Sequence, residues 1–588
     1  MSDRFHPLSM EQLTSWVFTE LAEKDAVFGV PRSAFFVPSL EDRFSLDGPG
    51  GPLDTPFGVA AGPHTQMAQN IIAAWLAGAR VIELKTVQTL DELDINKPCI
   101  DVQDEGYNVE WSQELKVHQS FDEYLRAWVL IHALHRKLGW PGERPAVEFN
   151  MSVGYNLEGI RSPNVQWYLD AMTDASAYLP AHLDVVAQHD PAVREIEIPA
   201  RLSSTVTLST MHGCPPDEIE RISLYLIEER GLHASVKCNP TLLGPDRVRQ
   251  IVNEDLGFVD VPIPDAAFGH DLAWADAVPM FRTLRSAASA RGLVFGLKLS
   301  NTLEVDNWRG VFDRDATMYL SGRALHAVTT NLAHAVTEEF DGALPLSFAG
   351  GADCFNVADL LRSGLGTVTV CSDLLKTGGF LRLLQYTETI DAAFDAAGAL
   401  DTTDFICKTG LRQPGIDQFV PLLRTSAGGS GLDLSEQDAA ALLDHVRAVP
   451  ADRRATEGIR SWALAAGNGS ERVGLIEGLA VGALARINLR QYAAAVCADW
   501  RYQKRSFRMD RTKTARPLGL FDCIAAPCVT SCPVDQQVPL YMAAVRRGDS
   551  AEAARIIRLD NPVPSVLGRV CDHLCEVPCV RTHLDQPL

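Results

Sequence analysis

Eight short apolar or β-branched runs punctuate the first two-thirds of the chain. They are PFGVA (56–60), VIEL (81–84), AVEFNM (146–151), STVTLS (204–209), ASVKC (234–238), LVFGLKL (293–299), LPLSF (344–348) and TVTVC (367–371). Between them lie stretches of helical period such as QNIIAAWLAGA (69–79) and DEIERISLYLIEER (217–230). Short runs bounded by turn residues read as buried strands, and the longer periodic stretches read as helices. Strand and helix alternating about eight times predicts a (β/α)8 barrel over 1–386. A doubly wound open sheet gives the same alternation and is the second choice. The segment 105–144 reads as an insertion or a long helical excursion. From 387 to 515 the strand signal fades into amphipathic and apolar helices such as EQDAAALLDHVRAV, a helical connecting region. The basic stretch 501–516 (RYQKRSFRMDRTKTAR) reads as a solvated face or linker before a last region, 516–588.

Composition narrows the function. With 588 residues the chain is too long for one core. Its formal charge of −22 disfavours a phosphate backbone as partner. No apolar run is long enough to span a membrane, and the start MSDRFHPLSMEQL lacks the basic-then-apolar pattern of a secretory signal. Thirteen cysteines without such a signal suggest a reducing, cytoplasmic setting and metal or redox use rather than disulfides. Six of the thirteen fall between Cys523 and Cys579.

A (β/α)8 barrel does its chemistry where the strands end. There the sequence places AAGPHT, then Lys85-Thr86, SVGYN ending in Asn156, TMHGCPPDE with His212 and Cys214, Lys237 before CNP, Ser300-Asn301-Thr302, Gly350-Gly351, and Cys371-Ser372-Asp373. Glycines after the seventh strand and small polar residues after the eighth suit a phosphate cradle, because backbone N–H groups must approach closely. Lysines and amides from strands two, five and six suit a ring around a planar heterocycle. A cation near the pyrimidine end of a flavin stabilises its anionic reduced form. Singly, each glycine is a turn residue and each lysine a snorkelling side chain; together at one barrel end they favour a site.

The blocks TPFGVAAGPHT, GARVIELKTVQTLDELDINKPCI, VTLSTMHGCPPDEIE, SVKCNP, LSNTL, LSFAGGAD and TVTVCSD resemble the flavin barrel of dihydropyrimidine dehydrogenase, a relative of dihydroorotate dehydrogenase. Residue by residue, the resemblance implies FMN contacts at Ala61, Lys85, Thr86, Lys237, Gly350, Gly351, Cys371 and Ser372. It implies contacts to a ring substrate at Asn156, Asn301 and Thr302, and a proton donor at Cys214. Reducing a C=C bond takes a hydride on one side and a proton on the other, so an acid is needed. His212 is the alternative acid, and a small buried apolar role is the plain alternative for Cys214. Two departures stand out. The dehydrogenases' L-N-L-S-C-P-H-G stretch is replaced by LSTMHG after Val206-Thr207, which removes an amide, and the shorter loop gains Pro215-Pro216. Both argue against pyrimidine itself as substrate.

The last region holds Cys523-x4-Cys528-x3-Cys532-Pro533 and Cys571-x3-Cys575-x3-Cys579. Thiolates are soft ligands for iron–sulfur clusters or zinc. The close C-x2-C pairs of structural zinc are absent from this region, and a cysteine followed by proline is typical of ferredoxin-like clusters. The spacing of four in the second group places its thiols one helical turn apart. FDCIAAPCVTSCPVDQQVP and GRVCDHLCEVPCVR resemble the helical iron–sulfur domain shared by dihydropyrimidine dehydrogenase and the glutamate synthase small subunit. That resemblance implies interleaved ligands: Cys523, Cys528 and Cys579 for one [4Fe-4S] cluster, and Cys532, Cys571 and Cys575 for the other. Six thiolates fall short of the roughly eight that two such clusters take. Leu520 stands where the family's first cysteine would be, and the family's final ligand falls past Leu588.

The order barrel, helical linker, cluster domain is similar to the family of selenate reductase iron–sulfur subunits, in which an FAD/NAD(P)H module follows. The expectation is a chain that stops before that module, through truncation or because the donor is a separate subunit. The function expected is an oxidoreductase. Electrons pass between an FAD/NAD(P)H donor, the clusters and barrel FMN, and an unsaturated N-heterocycle of purine or pyrimidine type is reduced or oxidised. The rival is a flavin-free docking subunit for a partner such as a molybdenum-containing hydroxylase.

Overall fold

A computed structural model describes residues 5–39, 43–91, 100–101, 113–209, 213–308, 316–376, 378–506, 526–579 and 586. His212, Leu520 and Cys523 lie outside the described residues, as do parts of 105–144 and 501–516.

The eight apolar runs all form strands. They are β1 Phe57–Val59, β2 Val81–Glu83, β3 Glu148–Val153, β4 Thr205–Ser209, β5 His233–Cys238, β6 Phe295–Leu299, β7 Leu346–Phe348 and β8 Thr367–Val370. Each pairs in parallel with the next, and β8 pairs with β1, so the sheet closes into a barrel in chain order. Closure decides between the two topologies that the alternation allowed: an open doubly wound sheet would leave two edges. Each strand is followed by a helix on the outside: α1 Ala68–Leu76, α2 Val117–Leu138, α3 Pro163–Thr173, α4 Pro216–Glu228, α5 Trp274–Ser289, α6 His326–Glu339, α7 Val357–Arg362 and α8 Arg382–Ala397. The excursion expected within 105–144 contains α2, the crossover helix between β2 and β3.

Gly58 shows how tightly the barrel closes. A Cβ there would lie 1.8 Å from the Val81 carbonyl oxygen, so only glycine lets β1 meet β2.

Beyond the barrel come α9 Thr402–Gly410, α10 Phe419–Gly429, α11 Glu436–Arg447, α12 Ala455–Ala465 and α13 Ser470–Ala498. These helices bury their own apolar cluster, with Phe419, Leu423, Leu442, Ile459 and Leu484 at its centre. The far end of α13 turns the other way: Leu489, Tyr492 and Val496 join the barrel's apolar cluster. Helix α13 packs along α6, where Arg486 pairs with Glu338 (3.4 Å) and Asp341 (3.2 Å). The cysteine region contributes α14 Val538–Arg546 and α15 Ser550–Asp560, packed on each other. Its buried apolar groups are small: Cys528, Val529 and Val538 in one, Ala544, Ala553 and Ile556 in the other. Among the described residues no helix is long and apolar enough to cross a membrane.

Candidate functional site

Side chains alternate along a strand, so residues two apart share a face. Glu83, Lys298 and Thr369 stand two residues before Lys85, Ser300 and Cys371 and therefore form the layer beneath the barrel mouth. They come from β2, β6 and β8, alternate strands, as interior layers of this fold do. Lys298 forms an ion pair with Glu83 and donates to Thr369 Oγ1 at 2.7 Å, while Thr369 donates to Glu83 Oε1 at 2.7 Å. The second Glu83 oxygen accepts the Ala61 N–H at 3.2 Å. All three side chains are buried. Burial pulls the Lys298 ammonium below its ordinary pKa, and the contact with Glu83 is what holds the charged form. A second polar ladder joins β3 to β4: Asn150 donates to Thr205 (2.9 Å) and accepts from Thr207 (2.7 Å), and Ser152 meets Thr86 (2.8 Å) and Ser209 (3.2 Å).

The mouth itself brings together Lys85, Lys237, Cys371 and His64. The charges of Lys237 and Lys85 both act on the Cys371 thiol. Burial nonetheless pushes that thiol up to about 11, so it keeps its proton at neutral pH. His64 Nδ1 lies 3.9 Å from Cys371 Sγ; burial, reinforced by Lys85, lowers the imidazole to about 4 and leaves it neutral. Lys237 is half-buried, its pKa lowered by burial, and it has no hydrogen-bond or ion-pair partner among the described residues. Cys214 lines a small cavity with Lys237, Asn239 and Asp271. Burial, then Glu218 and Asp217, push its thiol up to about 11, which keeps a proton available rather than a thiolate.

The loop after β7 has the other half of the donor capacity. The N–H groups of Gly350, Gly351 and Ala352 donate to no acceptor among the described residues. Gly351 has φ +66°, and a Cβ on it would meet the Gly322 carbonyl oxygen at 2.3 Å; a Cβ on Gly350 would meet Thr329 Oγ1 at 2.1 Å. Glycine is required here by the close approach of the segment leading into α6. Successive free N–H groups in such a turn are also an anion-binding concavity. Ser372 opens a 3₁₀ turn, Ser372–Leu375, anchored by buried Asp373, which accepts from Arg382 (2.9 Å) and Tyr386 (3.0 Å). A cofactor with a flat ring and a phosphate fits this donor set: a cation on one side of the mouth and amides on another, without partners among the described residues.

The remaining expected residues sit as follows. Ala61 and Thr86 are at the mouth, but their polar groups are engaged by Glu83 and Ser152. The Asn301 N–H donates to Cys238 O at 2.8 Å, and Asn301 and Thr302 are half-buried after β6. Asn156 is exposed, and its Oδ1 caps the short helix Leu157–Ile160 by accepting from Gly159 N at 2.8 Å.

In the cysteine region the thiols lie in one neighbourhood, with Cys575 near both Cys528 and Cys571. Cys528 feels Cys575 and Cys579, and Cys575 feels Cys571 and Cys532. Tyr541 packs with Cys528 and Cys575. The Cys571 sulfur accepts the His573 N–H at 3.3 Å. The segment 571–579 forms turns and not the helix that its spacing of four suggested, and Pro578 is incompatible with a continuing ladder. Among the described residues no three His, Cys, Asp or Glu side chains converge as ligands of a single ion do.

Sequence reasoning passed over Glu83, Lys298 and Thr369. The signal was present for Glu83, a charge inside an apolar strand two residues before Lys85. It also passed over His326, Asn356, Tyr492 and Tyr502, which carry no motif.

Residues 28–407 match the family model described as oxidoreductase YgfK, N-terminal TIM-barrel domain. Residues 507–588 match dihydropyrimidine dehydrogenase domain II, 4Fe-4S cluster. The chain is 35% identical over 607 aligned positions to a protein provisionally named oxidoreductase YgfK from Escherichia coli (strain K12), covering 100% of this chain and 50% of that protein. The chain thus spans about half the length of the curated relatives it matches in full. A stretch of 65 residues, 11% of the chain, is 42% identical to 9% of the NADP(+)-dependent formate dehydrogenase subunit beta of Moorella thermoacetica. Among solved structures, a ligand-free DHODH from Eimeria tenella aligns at 16% identity and TM-score 0.41, over 68% of this chain and 98% of that one.

Proposed function

This chain belongs to the YgfK oxidoreductase family, and on that premise we propose that its barrel binds FMN and oxidises or reduces an unsaturated N-heterocycle. On this reading the electrons travel through [4Fe-4S] clusters held by the cysteine region. The observation that carries it is donor capacity at one end of the barrel without acceptors among the described residues: Lys237 and the N–H groups of Gly350, Gly351 and Ala352. Bound there, FMN would supply hydride transfer to a substrate and single-electron exchange with clusters.

The chain's own residues have distinct parts. Lys237, with Lys85 nearby, holds positive charge against the ring. The glycine loop and Ser372 hold the phosphate. Cys214, protonated at neutral pH, delivers a proton to the ring carbon opposite the hydride, and Asn301 and Thr302 orient the ring. Cys528 and Cys579, with Cys523, hold one cluster, and Cys532, Cys571 and Cys575 hold the other. An FAD/NAD(P)H module, in the same polypeptide or a separate subunit, is the donor that this electron path calls for.

The test is anaerobic purification with identification of the released flavin and its count per chain. Near-stoichiometric FMN is expected, and Lys237→Ala should lose most of it. A folded protein without flavin would return the barrel to a docking role, and full FMN loading of Lys237→Ala would remove Lys237 from the site.

A further inference from the structure

The glycine loop is held from outside the barrel. His326 Nδ1 lies 2.8 Å from the Gly350 carbonyl oxygen, and His326 Nε2 lies 2.7 Å from the Tyr492 hydroxyl. A carbonyl only accepts, so Nδ1 carries the proton and Nε2 accepts from Tyr492. Burial lowers the ring to about 3, so it stays neutral and keeps this tautomer. The ring is stacked on Tyr502, with centroids 4.8 Å apart and planes 16° from parallel. Asn356 Nδ2 donates to the Gly351 carbonyl at 3.1 Å and also meets the Tyr502 hydroxyl at 3.2 Å. Its Oδ1 accepts the Asp353 N–H at 2.8 Å. Arg501 closes the set with an ion pair to Asp353 at 2.6 Å.

A trans peptide is planar, and its C=O and N–H point in opposite directions. Fixing the Gly350 carbonyl therefore aims the Gly351 N–H, and fixing the Gly351 carbonyl aims the Ala352 N–H. Those are two of the three donors without an acceptor among the described residues. Both aiming side chains are themselves held by tyrosines from outside the barrel: Tyr492 on α13, and Tyr502 just after it.

We propose that Tyr492 and Tyr502, acting through His326 and Asn356, are positioning residues for phosphate, so that the helical region completes the cofactor site of the barrel. The proposal rests on the reading above that this loop takes the phosphate of FMN. It separates two things that a loosened fold would merge: affinity for the phosphate and affinity for the ring.

The experiment is fluorescence titration of the full-length apoprotein with FMN and, separately, with riboflavin, which has the ring without the phosphate. Wild type, Tyr492→Phe and Asn356→Ala are compared, the first variant removing a single oxygen. In Tyr492→Phe FMN should bind roughly 3- to 10-fold more weakly, the worth of one lost hydrogen bond, and in Asn356→Ala, which loses three, at least as weakly, while riboflavin affinity stays within twofold in both. Inorganic phosphate should compete with FMN less well in the variants than in wild type. Equal weakening of FMN and riboflavin, or no weakening of FMN in either variant, overturns the proposal. A folded wild type that binds neither flavin overturns the functional reading, and the proposal with it.

Discussion

Lys298 and Glu83 are the most exposed to test of single residues, because neither charge has water to fall back on. Removing one partner leaves an uncompensated charge in the barrel, whereas removing both leaves an apolar floor. Lys298→Met should cost about 3–5 kcal/mol of stability. Glu83→Leu combined with Lys298→Met should cost markedly less than the single change, since no stranded charge remains. Urea unfolding midpoints of the two variants decide this, and equal losses would show that packing rather than charge is what Lys298 supplies. Gly351 is a second such residue. Its φ of +66° and the 2.3 Å approach of the Gly322 carbonyl leave no room for a methyl group. Gly351→Ala should lose more than about 1 kcal/mol in the same assay, from the backbone conformation alone.

At the level of elements, α13 is the piece whose role a linear reading understates. Its Asn488 is fully buried and donates to Arg362 O (2.7 Å) at the end of α7 and Ile406 O (3.1 Å) in α9. Asn488→Leu should destabilise the chain by about 1–3 kcal/mol, because two buried carbonyls lose their donor. Thermal unfolding should show the loss in the barrel and helical signals together if α13 joins them. Two separate transitions, with only one shifted, would show the units to be independent. The cysteine region presents the opposite case. Its described core is two small apolar groups. On the proposed reading, ligand bonds to iron add to that packing. Cys575→Ser should lower iron and acid-labile sulfide per chain and loosen α14 and α15, seen as faster proteolysis between 526 and 579. Unchanged iron would remove Cys575 from the ligand set.

Over the whole molecule, acid should be the weak side. His132 and His326 are buried and neutral, lowered by burial to about 4 and about 3 from an ordinary 6.5. Below pH 6.5 the unfolded chain takes up protons that the folded chain refuses. Stability is therefore fully present above that pH and falls as the pH drops toward 4. Each histidine contributes a slope of up to about 1.4 kcal/mol per pH unit. Melting temperatures from pH 5 to 8 should decline on the acid side. His132→Phe, remote from the site, should make that decline shallower; an unchanged slope would place the acid sensitivity elsewhere.

The alternation of runs was enough to expect a barrel, because period and run length are local properties, and all eight strands formed where the runs lie. The mouth residues were legible for a related reason. A residue just after a strand in this fold is at the mouth whatever the rest of the chain does. Lys85, Lys237, Gly350 and Cys371 could thus be named from position alone. Closure of the sheet was not legible, since an open and a closed sheet share one alternation. It took the β8–β1 pairing, and Gly58 at the β1–β2 contact, to show it. Nor was the Glu83–Lys298 pair, whose members are 215 residues apart and meet only across the barrel interior. The grip of Tyr492 and Tyr502 on the glycine loop is the furthest from any pattern. It joins residues more than 140 positions apart through single hydrogen bonds, and a hydrogen bond leaves no periodicity in the sequence. Local order follows from composition and period; which distant polar groups share a proton is decided only when the chain has closed.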